Sequence, residues 1–203
     1  MKKIGFISLG CSKNLVDTEM MIGLMEKAGY EMTEDLNEAN VIIINTCTFI
    51  DAAKDESVQT LLQATEYKKN GKCEKLVAAG CLSQQFQEGL AREIPELDVL
   101  LGTESWPKIL DAVNESYRTG KQVNCFDSAP CEHEELIPRQ LVTPKYTAYV
   151  KIAEGCNNGC TFCYIPYVRG KARSRPIPSV VHEVKRLAAQ GVKEFNLIAQ
   201  DLS

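Results

Sequence analysis

Residues 41–48 read VIIINTCT. Four consecutive β-branched apolar residues, Val41 to Ile44, leave no polar face, so this is a strand buried on both sides. Such strands belong to parallel sheets covered by helices. Outward from it the same rhythm repeats. An apolar run at Lys3–Leu9 (KIGFISL) is followed by a helical face of Met21, Leu24, Met25 and Ala28, with Gly29 as its stop. After VIII comes a helix carrying Val58, Leu61, Leu62 and Thr65 on one face. A third strand, Lys75–Ala79 (KLVAA), leads to a helix around Gln84–Ile94 that ends near Pro95. Val99–Leu101 is a fourth strand, and a last helix groups Trp106, Ile109, Leu110, Val113 and Tyr117. Residues 1–121 therefore read as an α/β domain, an open parallel sheet with helices on both faces.

The rhythm stops at Gln122–Pro144, which is acidic at CEHEEL and holds Pro130, Pro138 and Pro144. Residues 122–144 read as a connection between domains. A second β-α-β unit occupies 145–203. Tyr146–Ile152 is a strand, Pro178–Gln190 is a helix with Val180, Val184, Leu187 and Ala188 inward, Gly191 closes it, and Phe195–Ile198 begins another strand. Two parallel strands and one helix cannot cover their own faces. The expectation is a domain cut short at Ser203.

Nine cysteines in 203 residues is a high and odd count. No apolar run is long enough to span a bilayer, and the N-terminal run is too short for a secretory signal. The expected location is the cytoplasm, without membrane attachment. There, disulfides are disfavoured and metal or redox work is favoured. A net charge of −4 gives no electrostatic reason to bind nucleic acid. The local exception is RGKARSR, Arg169 to Arg175.

The cysteines fall into two sets. In GCNNGCTFCY, Cys156, Cys160 and Cys163 follow a strand with the spacing C-x3-C-x2-C. Thiolates favour zinc and iron–sulfur clusters. A structural zinc site takes four protein ligands, and the only histidines, His133 and His182, lie outside the loop. A four-iron cluster held by three cysteines keeps one iron open. A zinc site completed from a distance, or reduced thiols, are the alternatives. The second set is Cys11 in SLGCSKN, Cys47 in NTCTF and Cys81 in AAGCLS, each after an apolar strand. In a parallel sheet these ends share one edge, where ligands bind. Three distant thiolates would converge there, the alternative being small buried hydrophobes. Cys73, Cys125 and Cys131 lack this setting and read as structural. Two four-cysteine clusters, as in an electron carrier, would need eight ligands where these patterns supply six.

The C-x3-C-x2-C loop with Phe162 before its last cysteine resembles the radical S-adenosylmethionine superfamily. The two sets together, with ISLGCSKNLVDTE, VIIINTCTFIDAAKDES, GCLSQ, LGT, KIAEGCNNGCTFCYIPYVRGKARSRP and IAQD, resemble the methylthiotransferases over nearly the whole chain. That resemblance implies an N-terminal domain with an auxiliary cluster, then a partial-barrel radical domain, here truncated, then a C-terminal domain that is absent. It implies two 4Fe-4S clusters and S-adenosylmethionine. Cys156, Cys160 and Cys163 would hold the radical cluster and Cys11, Cys47 and Cys81 the auxiliary one, with Phe162 near S-adenosylmethionine. A 5′-deoxyadenosyl radical would remove a hydrogen, and the carbon would take up a methylthio group. Implied partners are an electron donor such as flavodoxin and a sulfur source. SLGCSKNLVDTE, TCTFIDAAK and IAQD match the branch that modifies the β-carbon of an aspartate in a small-subunit ribosomal protein, free or in the assembled subunit. Ser12 stands where that branch usually has proline, and YIPYVRG is also close to the branch that modifies transfer-RNA adenosine, which stays the alternative. A non-catalytic iron–sulfur module is a further alternative, and the 203-residue chain alone is expected to be an inactive fragment.

Other residues carry weaker expectations. Asn14, Asp17 and Glu19 read as caps and dipole partners at a helix start. Arg169, Lys171, Arg173 and Arg175 read as either a solvated basic face or a site for a substrate carboxylate, cosubstrate or RNA. His133 reads as a surface residue and Trp106 as core.

Overall fold

The computed structural model describes residues 1–126 and 129–202; Asp127 and Ser128 in the connection and Ser203 at the end of the second unit lie outside the described residues. From the N-terminus the chain forms β1 (Lys3–Ser8), α1 (Ser12–Lys27), β2 (Glu31–Met32), β3 (Val41–Thr46), α2 (Asp51–Asn70), β4 (Lys75–Gly80), α3 (Cys81–Phe86), α4 (Glu88–Glu93), β5 (Val99–Leu101), a 3-10 turn (Trp106–Lys108), α5 (Ile109–Thr119) and β6 (Val123–Cys125). The six strands make one sheet in the order β2-β1-β3-β4-β5-β6, every neighbouring pair parallel. The VIII run is β3, and all of its residues are buried.

Side chains alternate across a strand, and the sheet uses both sides. Val41, Ile43, Val77, Ala79, Val99 and Leu101 pack with Val16, Met20, Met21 and Met25 of α1 and with Ile109, Ala112 and Val113 of α5. Ile42, Ile44, Leu76, Ala78 and Leu100 pack on the opposite side with Leu61 and Ala64 of α2, Leu82 of α3, and Leu90 and Ala91 of α4. Trp106 is buried in the first of these cores, as expected.

Three details differ from the sequence reading. Leu62 is exposed, because the inward face of α2 is Ser57, Leu61, Ala64 and Thr65. The helix expected over Gln84–Ile94 is two short helices separated by Gln87, whose φ of 44° lies in the left-handed region, and the first of them begins at Cys81 itself. Val123–Cys125, inside the stretch read as a connection, adds the sixth strand; three residues are too few to show a strand period in sequence.

The second unit contains β7 (Thr147–Lys151), β8 (Ala153–Glu154), α6 (Ile165–Arg169), β9 (Arg173–Ser174), α7 (Ile177–Ala189) and β10 (Glu194–Ile198), preceded by a 3-10 turn at Glu134–Leu136. β7 and β10 pair in parallel around a small core of Ala148, Val150, Leu187 and Val192. β8 and β9 pair antiparallel, Glu154 opposite Arg173, and so pinch the base of the cysteine loop. Ala188 is exposed; the buried positions of α7 are Ser179, Glu183 and Leu187.

Glu183 faces inward because a chain of charges runs from it into α1. Arg139 bonds Glu19 through Nε (2.8 Å) and Nη2 (2.5 Å) and Glu183 through Nη1 (2.7 Å), and Arg175 bonds the second oxygen of Glu183 (2.6 Å). The side chains of Arg139, Glu19 and Glu183 are fully buried. The backbone N–H of Val142 adds a bond to Glu19 (2.9 Å). A Cβ on Gly23 of α1 would lie 2.9 Å from the backbone N of Arg139, so only glycine lets the connection lie this close. Removing one partner of a buried ion pair strands the other, which costs about 3–5 kcal/mol. Glu19→Ala should lower stability by that order in urea unfolding; a loss below about 1 kcal/mol would show that the pair does not fasten the connection.

Candidate metal centres

The sheet brings the first three cysteines to one edge. Strand order reverses between β1 and β3, and the crevice at such a reversal, beyond the strand C-termini, is where α/β folds bind ligands. Cys11 follows β1 and is the N-cap of α1. Thr46 of β3 pairs with Gly80 of β4, so Cys47 and Cys81 are the next residues on adjacent strands. Cys47 and Cys81 are buried and Cys11 is exposed. Gly10, with φ of 87°, has no room for a side chain: its Cβ would lie 2.7 Å from Cys47 Sγ. Gly80 (φ 90°) precedes Cys81, and Gly155 (φ 76°) precedes Cys156. Left-handed backbone favours glycine. Thus three of the six cysteines are presented by the same device.

Two polar residues lock this edge. The Ser57 hydroxyl, buried in α2, accepts from the backbone N–H of Cys47 and donates to its carbonyl, both at 2.9 Å. Asn14 of α1 donates to the carbonyls of Leu9 (3.0 Å) and Thr46 (2.9 Å), the strand ends just before Cys11 and Cys47. Its Oδ1 lies 3.9 Å from Cys81 Sγ and accepts a short bond from Arg169. Burial pushes the Cys81 thiol up, the Arg169 charge and hydrogen bond pull the other way, and the neighbouring Cys11 and Cys47 push it up again. Asn14 Oδ1 thus lies between the Cys81 sulfur and the Arg169 guanidinium.

The second set sits in a loop. Its base is closed by β8 and β9 and by the Cys156 N–H donating to the Gly170 carbonyl at 3.1 Å. The Asn158 N–H donates to Cys156 Sγ (3.4 Å) and the Cys163 N–H to the Cys160 carbonyl (3.1 Å). The IAQD motif braces it from β10: Gln200 donates to Glu154 (2.6 Å) and Asn158 donates to Asp201 (2.6 Å). Cys160 and Phe162 face solvent, Phe162 at 92% exposure.

The charged residues do not stand where the sequence reading put them. Asn14, Asp17 and Glu19 cap nothing: α1 has no side-chain cap and no acidic residue in its first turn. Asp17 instead takes Lys151 of β7 (2.6 Å) and Arg169 (3.3 Å). Glu154 takes Arg169 (3.3 Å), Lys13 (3.3 Å) and Lys151 (3.8 Å). Burial would raise Glu154, but Arg169, Lys151 and Lys13 overcome it and hold it at about 2. Nor is RGKARSR a solvated face. Arg169 is buried, Arg173 bonds Glu104, Arg175 bonds Glu183, and Lys171 is exposed. The helical period hid this, because long-range ion pairs leave no trace in local spacing. His133 is exposed, with Glu135 at 3.3 Å. The LGT motif docks on α6: the Thr103 hydroxyl donates to the Val168 carbonyl at 2.5 Å. Beside it a cleft of about 230 Å³ is lined by both units, with Gln84, Thr103, Phe126, Tyr167, Arg169 and Arg173 in its wall.

Among the described residues, no three His, Cys, Asp or Glu side chains are drawn tightly enough together to grip a metal ion directly. The donor chemistry nonetheless fits an iron–sulfur group at each set. Each offers three thiols, with positive-φ glycine before Cys11, Cys81 and Cys156, and a cluster larger than a single ion needs sulfurs further apart.

Two families match the sequence: "Uncharacterized protein family UPF0004" over residues 3–102 and "Radical SAM superfamily" over residues 150–201. Among curated proteins, the ribosomal protein uS12 methylthiotransferase RimO of Symbiobacterium thermophilum is 51% identical over 199 residues, spanning 98% of this chain and 41% of that protein. The RimO of Syntrophotalea carbinolica is 51% identical over 203 residues, 100% of this chain and 44% of that protein. That of Geobacter sulfurreducens is 46% identical, 100% of this chain and 45% of that protein. The chain thus spans less than half the length of these relatives. Among solved structures, the radical S-adenosylmethionine methyltransferase TsrM of Kitasatospora setae superposes with a TM-score of 0.61 at 13% identity, over 99% of this chain and 48% of that chain. That likeness is one of fold. No helix of the described residues is long and apolar enough to cross a membrane.

Exposure separates Cys160 from Cys73 in reactivity, since the thiolate is the nucleophile and burial disfavours it. Cys73 is buried and its thiol is pushed up to about 11 by that burial. In the apoprotein at about pH 8, N-ethylmaleimide should label exposed Cys160 at least about a hundredfold faster than Cys73. Equal rates would contradict the packing around Cys73.

Proposed function

We propose, for a chain that carries the UPF0004 domain and a Radical SAM match, that it forms the N-terminal part of a radical S-adenosylmethionine methylthiotransferase. The reaction proposed is addition of a methylthio group to the β-carbon of an aspartate in ribosomal protein uS12. The observation that carries this reading is the pairing of two three-cysteine sets in one body, locked to each other through Arg169, Asn14 and Asp17. A single cluster protein would need only one.

In this reading residues 1–121 hold the auxiliary site, 122–144 join the units, and 145–203 begin the radical domain. Cys156, Cys160 and Cys163 would hold one four-iron cluster and Cys11, Cys47 and Cys81 the other. When bound, these groups supply the electron that cleaves S-adenosylmethionine and the iron that carries sulfur to be transferred. The chain's own residues build the surroundings. Ser57 and Asn14 fix the backbone at the first set, so the strand ends that carry Cys11 and Cys47 are held by the chain itself. Gln200 and Asp201 hold the cysteine loop against β10. Arg169 supplies positive charge where thiolates gather. The cleft beside it is the opening through which a substrate side chain would approach, and exposed Phe162 would stand near S-adenosylmethionine. An electron donor such as flavodoxin and a sulfur source would complete the reaction.

Transfer-RNA adenosine is the rival substrate. The engagement of Arg169, Arg173 and Arg175 in internal ion pairs argues against it, because phosphate binding needs free cations. The test uses the longer protein of which this chain is proposed to be the start, reconstituted anaerobically with iron and sulfide. Given S-adenosylmethionine, dithionite and small ribosomal subunits, it should yield 5′-deoxyadenosine and a uS12 peptide heavier by one methylthio group; Cys156→Ala should yield neither. Methylthiolation of transfer RNA with uS12 untouched would overturn the substrate, and no product on either would overturn the activity.

A further inference from the structure

Arg169 is the last residue of α6, six positions after Cys163, yet its side chain ends at the other three-cysteine set. It is only 4% exposed. Its guanidinium meets Asn14, whose amide group holds the strand ends before Cys11 and Cys47 and whose oxygen lies 3.9 Å from Cys81 Sγ. Neither carboxylate that pairs with Arg169 belongs to it alone. Asp17 is also bound by Lys151, and Glu154 by Lys13 and Lys151, while Glu134 takes Lys151 at 3.2 Å. A buried guanidinium cannot shed its proton, so its charge acts on whatever else lies against it. What lies against it is the Cys11, Cys47 and Cys81 site.

We propose that Arg169 is a positioning residue for that site: a buried cation, contributed by the second unit, that sets the charge balance of the Cys11–Cys47–Cys81 centre and thereby the reduction potential of a cluster held there. The proposal rests on the cluster assignment made above. A fixed positive charge in a low-dielectric site favours the more negative, reduced state. Asp17, on the far side of the guanidinium, partly cancels that effect. One residue after the radical loop therefore governs the other centre, and docking of the second unit is part of completing the first site.

The test uses the full 203-residue chain with Cys156, Cys160 and Cys163 changed to Ala, so that only the second centre can load. After anaerobic reconstitution, iron content is measured, and the midpoint potential is read by dithionite titration with paramagnetic resonance detection. In this background Arg169→Gln should move the midpoint to more negative potential, Arg169→Lys should return it toward the parent, and the isosteric Asp17→Asn should move it to more positive potential. A merely structural role would not produce opposite shifts at equal iron content. Parent-like potentials in both Arg169→Gln and Asp17→Asn, with iron retained, would overturn the proposal. Should Arg169→Gln fail to hold iron, Asp17→Asn decides alone by the same criterion. Absence of iron in the background chain itself would overturn the cluster assignment, and this proposal with it.

Discussion

The buried ion-pair network around Asp17 and Arg169 is the constraint on which the rest of the structure depends. Asp17 comes from the first helix, Lys151 from the first strand of the second unit, and Arg169 from the helix after the cysteine loop. Buried charges gain little net stability over well-packed apolar groups, but they specify geometry strongly because a misplaced partner is left uncompensated. Here the network, with the parallel Glu19–Arg139–Glu183–Arg175 chain, fixes how a small second unit sits on a large first one. Without it, the β7–β10 pair and α7 would rest on a four-residue buried core and on the packing of Tyr149 and Ile198 against the first unit.

That placement gives the sheet edge its meaning. A parallel sheet with a reversal between β1 and β3 offers a crevice whatever its sequence. This chain fills the crevice with sulfur from three strand ends, and glycines with positive φ let those ends approach. The second unit then caps the crevice with a guanidinium and brings its own thiol loop, braced by Gln200 and Asp201. Motifs scattered along the chain, SLGCSKNLVDTE, LGT, KIAEGC and IAQD, meet at this junction. Several of their polar residues bond across it rather than to solvent: Asp17 to Lys151, Lys13 to Glu154 and Thr103 to Val168.

Much of this was legible from residue order. Four β-branched residues in a row announced β3, and the repeated strand–helix rhythm announced the sheet, because both signals are local. That Cys11, Cys47 and Cys81 follow strands at one edge of the sheet could be read from topology alone. What stayed hidden depends on partners far away in sequence. Asp17 and Glu19 look like ordinary helix-start acids until β7 and the connection arrive, and Glu183 looks like an exposed position on α7 until Arg139 reaches it. Ser57 looks like any helical serine until it clasps Cys47. The left-handed Gln87 that divides α3 from α4 carries no sequence warning, since glutamine rarely adopts that conformation.

The account stands most directly on two independent three-cysteine centres, and iron analysis after anaerobic reconstitution tests it. Wild type, a Cys156/Cys160/Cys163→Ala variant and a Cys11/Cys47/Cys81→Ala variant should bind about eight, about four and about four irons, as two four-iron clusters require. Zinc without iron, or an iron content unchanged by either triple substitution, would contradict it.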